Sequence, residues 1–270
     1  MTTTPAAQAQ TAAVLANGAF GDDPGRWPLP AATTPHELWL RAVVAGGQGR
    51  YGCAFADLAG VLRAQQAGPL ASVAHSTHAS FLRQLGWHTR ARTKDGRAWA
   101  LAAGDIEAGA DALIGLAADA LGVGRFAASA RFLERAGEAG NDLVPARLPV
   151  RLAWVSAELA MARGDGVAAI GHAGRAVELA ATLGSARHRV KSDVILAAAL
   201  CSAGSLERSR SVAEGALEAT GRLGLIPLRW ALACLLADIG TSTQSATQVT
   251  NLRDECADTV RRGGGRWYEP

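Results

Sequence analysis

Lysine is nearly missing. Only Lys94 and Lys191 occur among 270 residues, and arginine supplies the other 25 of the 27 basic side chains. That bias, beside abundant alanine, points to a GC-rich coding genome of the actinobacterial kind and carries no mechanism. Aromatic residues are scarce at 5%, so a core must be built largely from small side chains, which asks for helices in close approach. The four cysteines, Cys53, Cys201, Cys234 and Cys256, stand far apart and fit no C-x-x-C pattern. Separate thiols on apolar helix faces are expected to be reduced and buried, as in a cytoplasmic protein. No run reaches 18 apolar residues, and the longest stretch, Leu225 to Ile239, is interrupted by Pro227 and Arg229, which argues against a membrane span. Charge of one sign is lacking too: a net +3 gives no general affinity for polyanions.

What is present is a globular composition, 49% hydrophobic and 19% charged. Residues 1–34 are rich in Thr, Ala, Gly and Pro. Pro24, Pro28, Pro30 and Pro35 forbid a continuous helix there. With no basic n-region and no strong apolar run, this part is expected to be a flexible leader rather than a signal peptide. Beyond it the apolar spacing is helical throughout, and strand-like alternation is absent.

Glycines interrupt the helical pattern at regular places. Gly49, Gly86, Gly124, Gly164, Gly204 and Gly240 follow one another at intervals of 37, 38, 40, 40 and 36 residues. Seven residues before each stands an alanine: Ala42, Ala79, Ala117, Ala157, Ala197 and Ala233. Five residues after it stands Ala54, Ala91, Ser129, Ala169, Ser209 or Ser245, and twelve after it Val61, Ala98, Ala136, Ala176, Ala216 or Leu252. A glycine ends one helix in the left-handed conformation, and small residues sit where the two helices of a hairpin cross. One hairpin cannot bury its own apolar stripe, so hairpins stack.

This register resembles the tetratricopeptide-repeat family in a longer-period form, over residues 35–262. Gly49-Arg50-Tyr51, Gly124-Arg125-Phe126 and Gly164-Asp165 match the family's turn. The family's large residue nine positions past the turn glycine is Leu58 and Leu133 in two repeats, Ala173 and Ala213 in two others, and Asp95 in the second. The late proline is mostly missing. The resemblance implies an all-α, right-handed α-solenoid of about six hairpins, with residues 263–270 as a C-terminal tail. It also implies a concave groove lined by the first helix of each hairpin. Carried onto this chain, the groove positions include Trp39, Ser80, Arg83, Arg151, Trp154, Glu158, Lys191 and Trp230. Trp39, Trp154 and Trp230 share one repeat position, and exposed tryptophan beside arginine is a frequent peptide anchor.

The second repeat holds the densest charge. The stretch HASFLRQLGWHTRARTKDGRAW (78–99) carries five basic residues and three aromatics. Arg90, Lys94 and Arg97 fall on one helix face. The next helix carries Asp105, Glu107, Asp111 and Asp119, so mutual neutralisation is expected. The alternative is a nucleic-acid surface made by Arg90, Lys94 and Arg97 with the tail Arg261-Arg-Gly-Gly-Gly-Arg266. Trp99 is expected in the core rather than as a base-stacking platform.

Other motifs give less. Gly47-Gln-Gly49-Arg-Tyr-Gly52 fits G-x-G-x-x-G, but a helical pattern precedes it where a dinucleotide site needs a strand. His75 and His78 share a helix face without further ligands at zinc spacing, so no metal is expected. No nucleophile–base pair, paired carboxylate or phosphate loop stands in register, so neither an enzyme nor a cofactor is expected. The sequence thus points to a non-enzymatic helical-repeat adaptor that binds a protein or peptide. Longer-period repeats resemble those of bacterial transcriptional regulators, which makes a regulatory role its natural variant.

Overall fold

A computed structural model describes residues 5–138 and 146–269. Those residues form thirteen helices and no strand. Helix α1 (Pro5–Phe20) precedes six hairpins: α2 (Pro35–Gly47) with α3 (Tyr51–Ala64), α4 (Pro69–Gln84) with α5 (His88–Leu101), and α6 (Ile106–Gly122) with α7 (Phe126–Gly137). The others are α8 (Arg147–Ala162) with α9 (Gly166–Thr182), α10 (Ala186–Ser202) with α11 (Leu206–Arg222), and α12 (Ile226–Ile239) with α13 (Ala246–Arg262). Each first helix packs on the first helices of the hairpins before and after it, so α2, α4, α6, α8, α10 and α12 make an inner layer and the second helices an outer one.

Local signals set the helix ends. Thr34 and Glu37 close a capping box ahead of Pro35, and Ser245 and Gln248 close another on α13. The six turn glycines all have positive φ, between 74° and 88°. The six alanines seven residues before them are completely buried. Here the inner and outer helices of a hairpin pack closely. Replacing Ala157 or Ala197 with leucine is therefore expected to cost about 1–3 kcal/mol by overpacking. Urea midpoints check this, and a midpoint unchanged from wild type would show that the crossing tolerates bulk.

The solenoid curls until its ends meet. One apolar core combines Leu40, Val44, Tyr51 and Leu58 of the first hairpin with Val260 of the last, and Ile226 and Trp267 pack against it. The Gly52 N–H donates to the Gly263 carbonyl at 2.7 Å, and the Tyr268 N–H to that of Leu85 at 2.8 Å. The Trp87 indole donates to the Arg266 carbonyl at 2.7 Å. The tail is thus a seam, and its glycine run serves close backbone approach, with Arg261, Arg262 and Arg266 left exposed. The same seam accounts for Gly49 and Gly52 of the G-x-G-x-x-G match, which follows a helix and no strand.

The leader, expected to be flexible, is docked over its described part; residues 1–4 and tail position 270 lie outside the described residues. Leu15 and Ala19 of α1 are buried, which suffices to hold the helix. The chain then crosses to the far side of the ring. The Ala186 N–H donates to the Gly21 carbonyl at 3.0 Å, Arg189 pairs with Asp22 at 2.8 Å, and the Gln48 side chain donates to the Pro24 carbonyl at 2.8 Å. The prolines break the helix only after α1. The four thiols are free, as expected, but only Cys256 is buried; Cys201 and Cys234 are half-buried and Cys53 is exposed. No described helix is long and apolar enough to cross a membrane.

Candidate functional site

The inner layer encloses a cavity of about 360 Å³ on the concave side. Seven of the eight groove residues carried over from the repeat register line it: Trp39, Ser80, Arg83, Arg151, Trp154, Glu158 and Lys191. Trp230 does not. Its ring packs on Trp267 at 4.3 Å between centroids, because ring closure brings the tail onto α12.

The two lining tryptophans are fixed in the same way. The Trp39 indole donates to Thr77 Oγ1 and the Trp154 indole to Ser192 Oγ, each at 2.9 Å and each on the next inner helix. Their N–H groups are spent on the wall, and their rings face inward as apolar surface. Phe20 from α1 closes one side, 5.5 Å from Trp39 between ring centroids.

Five cations reach the cavity, Arg83 from α4, Arg147 and Arg151 from α8, and Arg187 and Lys191 from α10. The sequence register missed Arg147, Arg187 and His188. Helical spacing could have found the arginines, since Arg147 stands four residues before Arg151 and Arg187 four before Lys191.

Arg83 anchors the most buried network. It contacts Asp95 and lies 2.9 Å from Asp119, and both carboxylate side chains are fully buried. Asp95 stands at the repeat position that holds Leu58, Leu133, Ala173 and Ala213 in other hairpins, and this buried ion group occupies that place. Gly115 faces it at a point where any side chain would collide with the carboxylate. Burial raises the pKa of Asp95, Arg83 opposes, and the nearby charge of Asp119 raises it further. Asp119 is raised by burial as well, against Arg83. For Arg83 burial works downward, but the two carboxylates override it and hold the guanidinium charged.

Arg151 contacts Asp111, which also lies 3.6 Å from Arg147, and Arg147 pairs with Glu107 at 2.7 Å. Burial, then the neighbouring charges of Arg83 and Arg187, pushes the pKa of Arg151 down, while the charge of Asp95 works the other way. Lys191 lies 3.6 Å from Glu158. His188 is buried, stacks on Trp154 at 5.3 Å and pairs through Nδ1 with the Ser185 hydroxyl at 2.9 Å. Burial, then Arg187, Arg151 and Arg147, lowers its pKa to about 3, so it is neutral at physiological pH.

These pairings correct the expected neutralisation of the basic face. The acidic residues of α6 turn inward to Arg83, Arg147 and Arg151, while Asp105 accepts from the Ala108 N–H as the helix cap. Arg90, Lys94 and Arg97 lie on outer helix α5, out of their reach. Arg90 stacks over Trp87 at 4.1 Å. Trp99, expected in the core, is 40% exposed and lies beneath Arg135. His78 packs on Phe55 at 4.7 Å, and burial, then Lys94 and His75, pushes its pKa down to about 4. Among the described residues no cluster of His, Cys, Asp or Glu is placed to hold a metal ion.

Fold and site together define an all-α solenoid of helical hairpins, closed on itself around a cation-rich cavity with aromatic walls. No protein-family model matches this chain, and no curated protein matches it.

Proposed function

We propose that the chain is a cytoplasmic, non-enzymatic, tetratricopeptide-like binding module whose recognition site is the concave cavity. The occupant is a short peptide segment of a partner, or a ligand of similar size, and binding it is the module's adaptor or regulatory act. The observation that carries this reading is convergence. Cations from three inner helices and two fixed tryptophans meet in one cavity, within the range of about 300–1,000 Å³ usual for ligand sites.

A second reading rests on a different observation. Arg90, Arg92 and Arg97 are exposed on α5, and Arg90 is stacked on an indole. Such a face suits a nucleic-acid backbone. One comparison separates the two. Replacing Arg151 and Trp154 with Ala is expected to abolish capture of the partner in pull-downs and native mass spectrometry from host lysate, with helical circular dichroism retained. Replacing Arg90, Lys94 and Arg97 with Gln is expected to leave capture intact. The reverse result, with steep salt dependence, would transfer the function to α5.

A further inference from the structure

Every cation lining the cavity but one has a carboxylate partner, and Arg83 has two. Arg83 has Asp95 and Asp119, Arg147 has Glu107, Arg151 has Asp111, and Lys191 has Glu158. Arg187 has no carboxylate partner among the described residues. It is half-buried on α10, its stem lying against the end of α2, where a Cβ on Gly47 would stand 3.7 Å from Arg187 Cδ. An unpaired cation held out of water costs stability, and burial accordingly lowers its pKa. The neutral ring of His188 feels Arg187, Arg151 and Arg147 together. The same cavity is lined by Trp39 and Trp154, whose N–H groups are already bonded to Thr77 and Ser192.

We infer that the cavity takes a small organic monoanion, its carboxylate seated at Arg187 beside Arg151 and its apolar body against Trp39 and Trp154. This rests on the reading that the cavity is the recognition site. A guanidinium without a carboxylate partner is a seat for one, since its planar fork matches a carboxylate with two parallel hydrogen bonds. The two indoles offer no free donor, so the part of the ligand that lies against them is apolar.

The test uses three probes with one ring system: 2-naphthoate, 2-naphthamide and 2-naphthylmethylammonium, titrated calorimetrically into the full chain. The naphthoate is expected to bind at least tenfold more tightly than the amide, and the ammonium not measurably. Arg187→Gln is expected to reduce naphthoate binding at least tenfold, to the level of the amide in the wild type, and to leave the urea midpoint of the free protein equal or higher. That last readout separates an anion seat from a structural arginine. If acid and amide bind alike and Trp154→Ala weakens both, the cavity is the site and the anion assignment is wrong. Preference for the ammonium would overturn the assignment too, handing recognition to Asp111 and Glu158. If no probe binds, or Trp154→Ala changes nothing, both the assignment and the cavity reading fail.

Discussion

Replacing Arg83 with methionine is expected to destabilise the solenoid by about 3–5 kcal/mol at neutral pH, the usual cost of stripping the counter-charge from a buried ion group. Two buried carboxylates, Asp95 of α5 and Asp119 of α6, are then left with no cation between them. Removing a carboxylate should act in the opposite direction. One guanidinium cannot balance two buried acids, and Asp95 Oδ1 and Asp119 Oδ2 have no hydrogen-bond partner. Because burial and Asp119 raise the pKa of Asp95 above its unfolded value of 3.8, the folded state binds a proton that the unfolded chain releases. The stability from that proton is fully present below pH 3.8 and is lost as pH rises toward neutrality. Asp95→Asn keeps the shape and removes the titration. Its urea midpoint is therefore expected to exceed that of wild type at pH 8 and to converge on it only as pH falls to 3.8 and below. A midpoint well below wild type at pH 8 would mean that Asp95 is ionised and that its pairing outweighs its burial.

The repeat was legible in the sequence because its determinants are steric and local. A left-handed glycine and an alanine at a crossing recur whatever the neighbours do, and Gly49, Gly86, Gly124, Gly164, Gly204 and Gly240 each stand at a hairpin turn. Carrying a register onto Trp39, Arg83 and Trp154 works for the same reason. Closure is different. It depends on how each hairpin is rotated on the last, and nothing in one repeat encodes the sum. The partners of Gly263, Trp267 and Arg266 were therefore invisible, and Trp230 was misplaced with them. The docking of α1 was hidden by composition: a segment rich in Thr, Ala and Pro looks unstructured, although Leu15, Ala19 and Phe20 are enough to seat it. Asp95 was visible as an exception, but its meaning needed Arg83 and Asp119 beside it. A breach of the repeat pattern marked the buried ion site.

The seam itself should fail under small additions of bulk. Gly263 has an ordinary φ of −74°, so glycine is not needed there for its backbone. What excludes a side chain is space, since a Cβ would land on the carbonyl oxygen of Gly49. At Gly265 a Cβ would come 2.6 Å from Val260 Cγ1 and 2.8 Å from Tyr51 Cδ2. Gly263→Val and Gly265→Val are each expected to cost about 1–3 kcal/mol by overpacking, and the double variant more than either alone. The damage should be local to the closure. The N–H of Gly52 would lose its acceptor, Trp267 would leave Trp230, and Tyr268 would leave Trp87 at 5.1 Å. Near-ultraviolet dichroism should change while far-ultraviolet dichroism holds, and the tail should become the first site of proteolysis. Gly96 supplies the opposite control. It lies within α5, where an added Cβ meets nothing within 4 Å, so Gly96→Ala is expected to stabilise by about 0.5–1 kcal/mol. If the seam variants matched Gly96→Ala in sign, the chain ends would not be in contact in solution and the solenoid would be open.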